Sequence, residues 1–190
     1  NGSPHKDGCT NAALETICGT LNAEKVETEI FWLGTEPVRD CTACGACANL
    51  DGCVFNDKVN EFLAKAKQAD GFIFGSPVYY AHPSGSILAA LNRIFFAGSE
   101  YLAYKPGAAV ASARRAGTTA ALDVLNKYFT INNMPVVSSR YWNMVHGLKA
   151  SDVQKDAEGL QVMRTLGRNM AWLLKSLEAG FRKRLHHPVI

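Results

Sequence analysis

The chain has 190 residues, 47% of them hydrophobic, which is enough for one domain with a well-buried core. A formal net charge of +3 is too small to mark a nucleic-acid-binding protein. No apolar run reaches the ~18 residues of a membrane helix, and cysteines clustered in one loop suit a reducing cytoplasm and a metal better than a secreted disulfide scaffold.

The chain opens on a loop sequence, Asn1-Gly2-Ser3-Pro4, and Thr10 is placed to cap a helix to about Leu21. Val26 to Leu33, with Ile30, Phe31 and Trp32, reads as a strand. Asp57 is placed to cap a helix to about Ala69. Gly71 to Phe74 is a short apolar run that stops at Gly75-Ser76-Pro77. After Ser84, the residues Ile87, Leu88, Leu91, Ile94 and Phe95 recur at helical spacing. Ala108 to Ala113 and Met134 to Ser138 are further apolar runs, separated by a helix from Gly117 to Phe129. The last helix is expected after Ser151, where Ser151 and Gln154 fit a capping box. Its core stripe is Leu160, Met163, Leu166, Met170, Leu173 and Leu177.

Short apolar runs alternating with helices predict an α/β doubly wound parallel sheet with helices on both faces. Such a sheet needs an apolar strand feeding the first loop, so a strand of ~5–6 residues is expected before residue 1. That gives a five-stranded sheet in a single domain, residues 1–190, with a cysteine-rich loop at 41–53. In such folds ligands bind beyond the carboxyl ends of the strands.

Three loops follow the expected strands. Asn1 to Asn11 carries two glycines and several short polar side chains ahead of a helix, a pattern suited to an anion. An ordinary capped turn explains it equally well. Gly75 to Ser84 is stiffened by Pro77 and Pro83, and Tyr79 and Tyr80 offer flat faces to a planar ring. The competing reading is two surface tyrosines. Ser112 to Thr119 places Arg114 and Arg115 beside Gly117, where they can bind oxygen atoms or simply form a charged turn. His82, Trp142 and His146 are further candidates to border a pocket.

Cys41, Cys44, Cys47 and Cys53 follow the pattern C-x2-C-x2-C-x5-C. Four thiolates so close suit a four-iron four-sulfur cluster or a tetrahedral zinc, and free thiols or disulfides are the third reading. In two-cluster ferredoxins the fourth cysteine follows sooner, precedes a proline and serves a second cluster. Here a local fourth ligand is coherent.

The segments Gly2-Ser3-Pro4, Gly75 to Tyr80, Leu91-Asn92-Arg93 and Lys105-Pro106-Gly107, with the cysteine motif, carry a resemblance. The chain resembles the flavodoxin-like NAD(P)H-dependent FMN reductases, and within them the iron–sulfur flavoproteins. The resemblance implies FMN, with Ser3, His5, Thr10 and Asn11 at its phosphate. It implies Pro77, Val78, Tyr79 and Tyr80 around the isoalloxazine, and Ser112, Arg114 and Gly117 on the other side. Similar proteins often have arginine at position 5 and asparagine at position 9, where this chain has His5 and Cys9. Arg93 is read as a structural arginine pinning a neighbouring loop.

The resulting expectation is an oxidoreductase that passes electrons from NAD(P)H through FMN to a quinone, a flavin or an iron–sulfur acceptor. No side-chain nucleophile is needed, which fits the absence of hydrolytic motifs. The alternative is a non-enzymatic electron-transfer protein served by a ferredoxin-like donor. A homodimer or homotetramer is implied, and neither nucleic acid nor a membrane is expected as a partner.

Overall fold

The computed structural model describes residues 1–188. Its spine is a pair of parallel strands, β1 (Phe72–Tyr79) and β3 (Gly107–Ala113), in register from Phe72 opposite Gly107 to Pro77 opposite Ser112. A two-residue antiparallel strand, β2 (His82–Pro83), folds back on β1, and β4 (Met144–His146) lies parallel on the far side of β3. The order β2-β1-β3-β4 has four strands, three of them parallel, where four parallel strands are expected after residue 1; the count of five is not confirmed.

Two differences account for this. Val26 to Leu33 forms no ladder strand. Its far end runs alongside Asn1, whose amino group donates to Phe31 O at 2.8 Å and whose carbonyl accepts from Leu33 N at 3.1 Å. Gly2 N in turn donates to Gly75 O at 2.8 Å, so Asn1–Gly2 lies between this stretch and β1. Met134 to Ser138 contributes one bridge, Val136 opposite Gly107. The same lane beside β3 is completed further on by β4, which sequence patterning missed because three residues show no periodicity.

Alternation along the strands divides the core into two layers. Phe72 and Phe74 of β1 and Ala109 and Ala111 of β3 face α2 (Lys58–Ala66), α3 (Gly85–Ala97) and α5 (Thr118–Ile131), the one-turn α4 (Ser99–Leu102) following α3. Ile73, Ala108 and Val110 face α1 (Cys9–Ala23) and α7 (Ala157–Arg182). Every residue of β3 is buried, as expected for a central parallel strand. The close approach of α5 depends on Gly107, where an added Cβ would stand 2.4 Å from Phe129 Cδ1.

Helix starts differ instructively from expectation. Asp57 caps α2 as the sequence indicates, accepting from Val59 N at 3.0 Å, and Ser84, which the sequence places only ahead of a helix, caps α3 by accepting from Ile87 N at 3.4 Å. α2 ends at Ala66, three residues short of the expected Ala69. Thr10 does not cap α1; the helix starts after Gly8, and Thr10 points into the sheet edge. Ser151 and Gln154 belong to the short α6 (Ala150–Val153) and its end, while α7 is capped by Asp156, which accepts from Gly159 N at 2.9 Å. The expected stripe from Leu160 to Met170 is buried on α7.

Candidate functional site

The carboxyl ends of β1 and β3 carry the second and third loops, and the first lies beside β1 through the Gly2–Gly75 hydrogen bond. The expected second loop is shorter than the sequence indicates. Gly75, Ser76 and Pro77 continue β1 opposite Val110, Ala111 and Ser112, and the turn is only Tyr80–Ala81. The strand continues because Gly75 admits α1: an added Cβ there would stand 2.9 Å from Thr10 Cγ2. Both turn residues have positive φ, 50° for Tyr80 and 63° for Ala81, the backbone that a two-residue hairpin requires. Neither is glycine, so this tip holds conformational strain.

Hydroxyl groups knit the loops together. Thr10 Oγ1 and Ser112 Oγ are 2.8 Å apart and both residues are buried. Ser84 Oγ donates to Gly2 O at 2.8 Å, and Ser84 N donates to Ser76 Oγ at 2.9 Å. Gly117, at φ 88°, fits beneath the hairpin tip, since a Cβ there would lie 2.7 Å from Ala81 Cα. Ser84 and Ser76 are the members of this network that sequence reading missed. Ser84 was legible only as the residue preceding a helix.

Within the first loop, Ser3 is buried, its Oγ accepts from His5 N at 3.1 Å and its carbonyl accepts from Trp32 Nε1 at 2.8 Å. Asn11 is buried on α1, donating to Glu15 at 2.9 Å and accepting from Asn1 Nδ2 at 3.3 Å. His5 is exposed. On the hairpin, Pro77 and Val78 are half-buried, Tyr79 is exposed, and Tyr80 stands fully in solvent. Arg114 is exposed and makes no ion pair among the described residues.

The helix starts distinguish the site. Of the five helices longer than one turn, α2, α3 and α7 begin with a capping side chain. The two without one, α1 and α5, follow the first and third loops and have no acidic residue in their first turns. Their first backbone N–H groups and positive dipole ends therefore point beyond the sheet without a side-chain acceptor. A phosphate is the kind of group that such a terminus holds.

The cysteine loop forms a second centre. Cys41, Cys44, Cys47 and Cys53 all line one cavity of about 120 Å³, walled by Arg93 and Phe96 of α3. Among the described residues, no three His, Cys, Asp or Glu side chains stand close enough to hold a metal ion. All six cysteines are free thiols. The donor chemistry is that of a cluster site, although the sulfurs are not drawn together: four thiols line one cavity, and N–H groups are directed at two of them. Ala43 N donates to Cys41 Sγ at 3.4 Å, and Arg93 Nε donates to Cys53 Sγ at 3.2 Å. The Cys44 thiol is held below its usual pKa, chiefly by a backbone hydrogen bond at Ala46.

Arg93 is the pin expected of it, buried at 1% exposure. Besides Cys53 it donates to Arg39 O, Phe55 O and both carboxylate oxygens of Asp57, the latter at 2.6 and 2.9 Å. Burial opposes ionisation of Asp57, but the Arg93 and Val59 hydrogen bonds outweigh it and hold its carboxyl below the usual range.

Other candidates lie apart. His82 is exposed on β2. Trp142 and His146 border a separate cleft of about 60 Å³ beside Asp156. Cys9 donates to Gly147 O at 3.4 Å, and burial, then Asp152, pushes its thiol up. It is a packed thiol in the first loop.

The comparisons with known proteins agree with this architecture. The model of the NADPH-dependent FMN reductase family matches residues 1–149. The chain is 30% identical to an iron-sulfur flavoprotein of Methanocaldococcus jannaschii over 94% of this chain and 96% of that one. Its fold superposes on RosB bound to 8-demethyl-8-formylriboflavin-5'-phosphate with a TM-score of 0.72. That match is at 12% identity and covers 100% of this chain and 87% of the other. It superposes on a flavodoxin from the domain Archaea at 0.59 and 16% identity, covering 90% and 94% of the two chains. The chain belongs to the NADPH-dependent FMN reductase family. It is an oxidoreductase with the flavodoxin-like fold, with FMN as its flavin and a reduced nicotinamide as co-substrate.

Proposed function

We propose that residues 1–190 form a single FMN-binding domain in which the phosphate lies at the start of α1, held by Ser3, His5, Thr10 and Asn11. The isoalloxazine then lies against Pro77, Val78, Tyr79 and Tyr80, with Ser112 and Arg114 of the third loop at its border; Gly117, packed directly against Ala81, supports the hairpin and does not face it across the ring. The observation that carries this reading is the presence of two uncapped helix starts, α1 and α5, with α1 tied by the Thr10–Ser112 hydrogen bond to the end of β3, the strand that leads into the α5 loop. Bound FMN supplies hydride and single-electron chemistry. The chain supplies the rest: amide donors for the phosphate, a rigid hairpin wall, and a guanidinium at Arg114 for oxygen atoms at the ring's polar edge.

Electrons from NAD(P)H would pass through the flavin to a quinone, a free flavin or the cysteine loop. A four-iron four-sulfur cluster held by Cys41, Cys44, Cys47 and Cys53 would supply one-electron exchange there. Two observations favour that route: the shared cavity, and the name of the Methanocaldococcus relative. In this second reading a ferredoxin-like donor or acceptor meets the cluster at its exposed rim, where Leu50, Val54 and Phe96 are exposed. We place the protein in the cytoplasm, as a homodimer or homotetramer with Tyr79 and Tyr80 at a contact between copies.

Titration of the chain with FMN and with riboflavin, followed by flavin fluorescence, tests the phosphate site. FMN is expected to saturate at one per chain and to bind at least about tenfold more tightly than riboflavin, ~1.4 kcal/mol or more. Equal affinities would remove the phosphate from α1.

A further inference from the structure

The helix α3 contacts two of the four cysteines, Cys47 and Cys53, and reaches a third, Cys41, through Asp40. Asn92 Nδ2 donates to Asp40 Oδ1 at 2.9 Å, and that oxygen also accepts from Cys41 N at 2.7 Å. Tyr128 OH donates to Asn92 Oδ1 at 2.5 Å and fixes the amide. Arg93 Nε donates to Cys53 Sγ, and Cys47 Sγ donates to Phe96 O at 3.6 Å. The same helix begins at Ser84, which is bonded to Gly2 and Ser76 of the loops read as the flavin site. One rigid element therefore joins both centres.

Arg93 stands out within this arrangement. A buried guanidinium is costly unless its charge and donors are matched. Asp57 and two carbonyls satisfy the Nη groups, which leaves Nε–H directed at sulfur. A thiol is a weak acceptor, whereas a thiolate accepts a charge-assisted hydrogen bond. Ligand thiolates around a cluster carry negative charge that grows by one on reduction. A fixed donor and a nearby cation stabilise the reduced form more than the oxidised one.

We propose that Arg93 is a positioning residue for the cysteine centre, fixing Cys53 as a ligand and raising the reduction potential of the bound cluster, with Asp57 partly offsetting its charge. The inference rests on the cluster reading of the cysteine loop. In each reduction one electron enters the cluster from the titrant, and no bond forms or breaks.

The test is an anaerobic redox titration of the full chain reconstituted with ferrous iron and sulfide, read by the cluster's visible absorbance and by iron and sulfide content. Wild type, Arg93→Gln, Arg93→Lys and Asp57→Asn are compared. Arg93→Gln is expected to lower the reduced-to-oxidised ratio about tenfold at a fixed solution potential, ~59 mV for one electron. Arg93→Lys, which keeps the charge but loses the Nε–H, is expected to fall between Arg93→Gln and wild type. Asp57→Asn keeps a helix cap and is expected to shift the midpoint upward. A purely structural role would lower iron content or melting temperature without opposite shifts in midpoint. If Arg93→Gln does not fold, Arg93→Lys and Asp57→Asn decide between the outcomes. Midpoints equal to wild type in those two variants overturn the inference and leave the cluster reading intact. A wild-type chain that takes up no iron overturns both.

Discussion

Thr10 on α1 and Ser112 at the end of β3 share a buried hydrogen bond of 2.8 Å between their hydroxyl oxygens. The bond joins the first and third loops across the edge of the sheet. Removing one hydroxyl leaves the other buried without its partner, at about 1–3 kcal/mol. Thr10→Val and Ser112→Ala are each expected to lower stability by that order and to weaken FMN binding. The double variant is expected to cost less than the sum of the two singles, which denaturant unfolding in a double-mutant cycle measures.

Gly117→Ala is a sharper test of the hairpin. Its φ of 88° disfavours any L side chain, and the new Cβ would meet Ala81 backbone at 2.7 Å. The expected loss is about 1–3 kcal/mol. The accompanying FMN affinity should fall about tenfold or more, ~1.4 kcal/mol, as the Tyr80–Ala81 tip is displaced. Unchanged affinity would mean that the hairpin does not border the flavin.

Much of this was legible in the chain. The buried run of β3, the Asp57 cap and the α7 stripe each follow from local patterns of side-chain size and polarity. The end of β1 was not. Gly-Ser-Pro reads as a turn, and only the approach of Thr10 and Leu14 to Gly75 makes it a strand. Thr10 was misread as a cap for the same reason, because its partner, Ser112, lies 102 positions away. The start of α7 passed to Asp156 because Ser151 was already within α6. The cysteine spacing identified the donors, whereas the placement of Arg93 and Asn92 against them is a tertiary fact.

The core prediction concerns Gly107. Gly107→Ala forces Phe129, which stacks on Phe74 with ring centroids 5.2 Å apart, out of a fully buried position. The expected destabilisation is about 1–3 kcal/mol, measured by thermal or urea unfolding. A neutral result would show that α5 can move away from β3 at no cost.

Asp57 makes stability depend on acid. Its folded pKa lies below an unfolded value of about 3.9, because the Arg93 and Val59 hydrogen bonds prevail over burial. Its contribution is present above about pH 3.9 and disappears as pH falls through the lower folded value. The melting-temperature gap between wild type and Asp57→Asn is therefore expected to be widest near neutrality and to close in acid. A gap independent of pH would contradict the pairing.

Thiol chemistry separates two cysteines. Cys44 is exposed with a lowered pKa, and Cys9 is half-buried with a raised one. In the metal-free chain at neutral pH, iodoacetamide should modify Cys44 before Cys9, as followed by peptide mass spectrometry. Reversal of that order would contradict the two environments.

The central claim is that FMN lies across the loops joined by Thr10 and Ser112, with its phosphate at the start of α1. A crystal structure of the FMN complex tests it most directly. The account predicts the phosphate within hydrogen-bond distance of the Thr10 and Asn11 amides and the ring against the Tyr80 hairpin. Flavin density elsewhere, for example in the cleft beside Trp142 and His146, would contradict it.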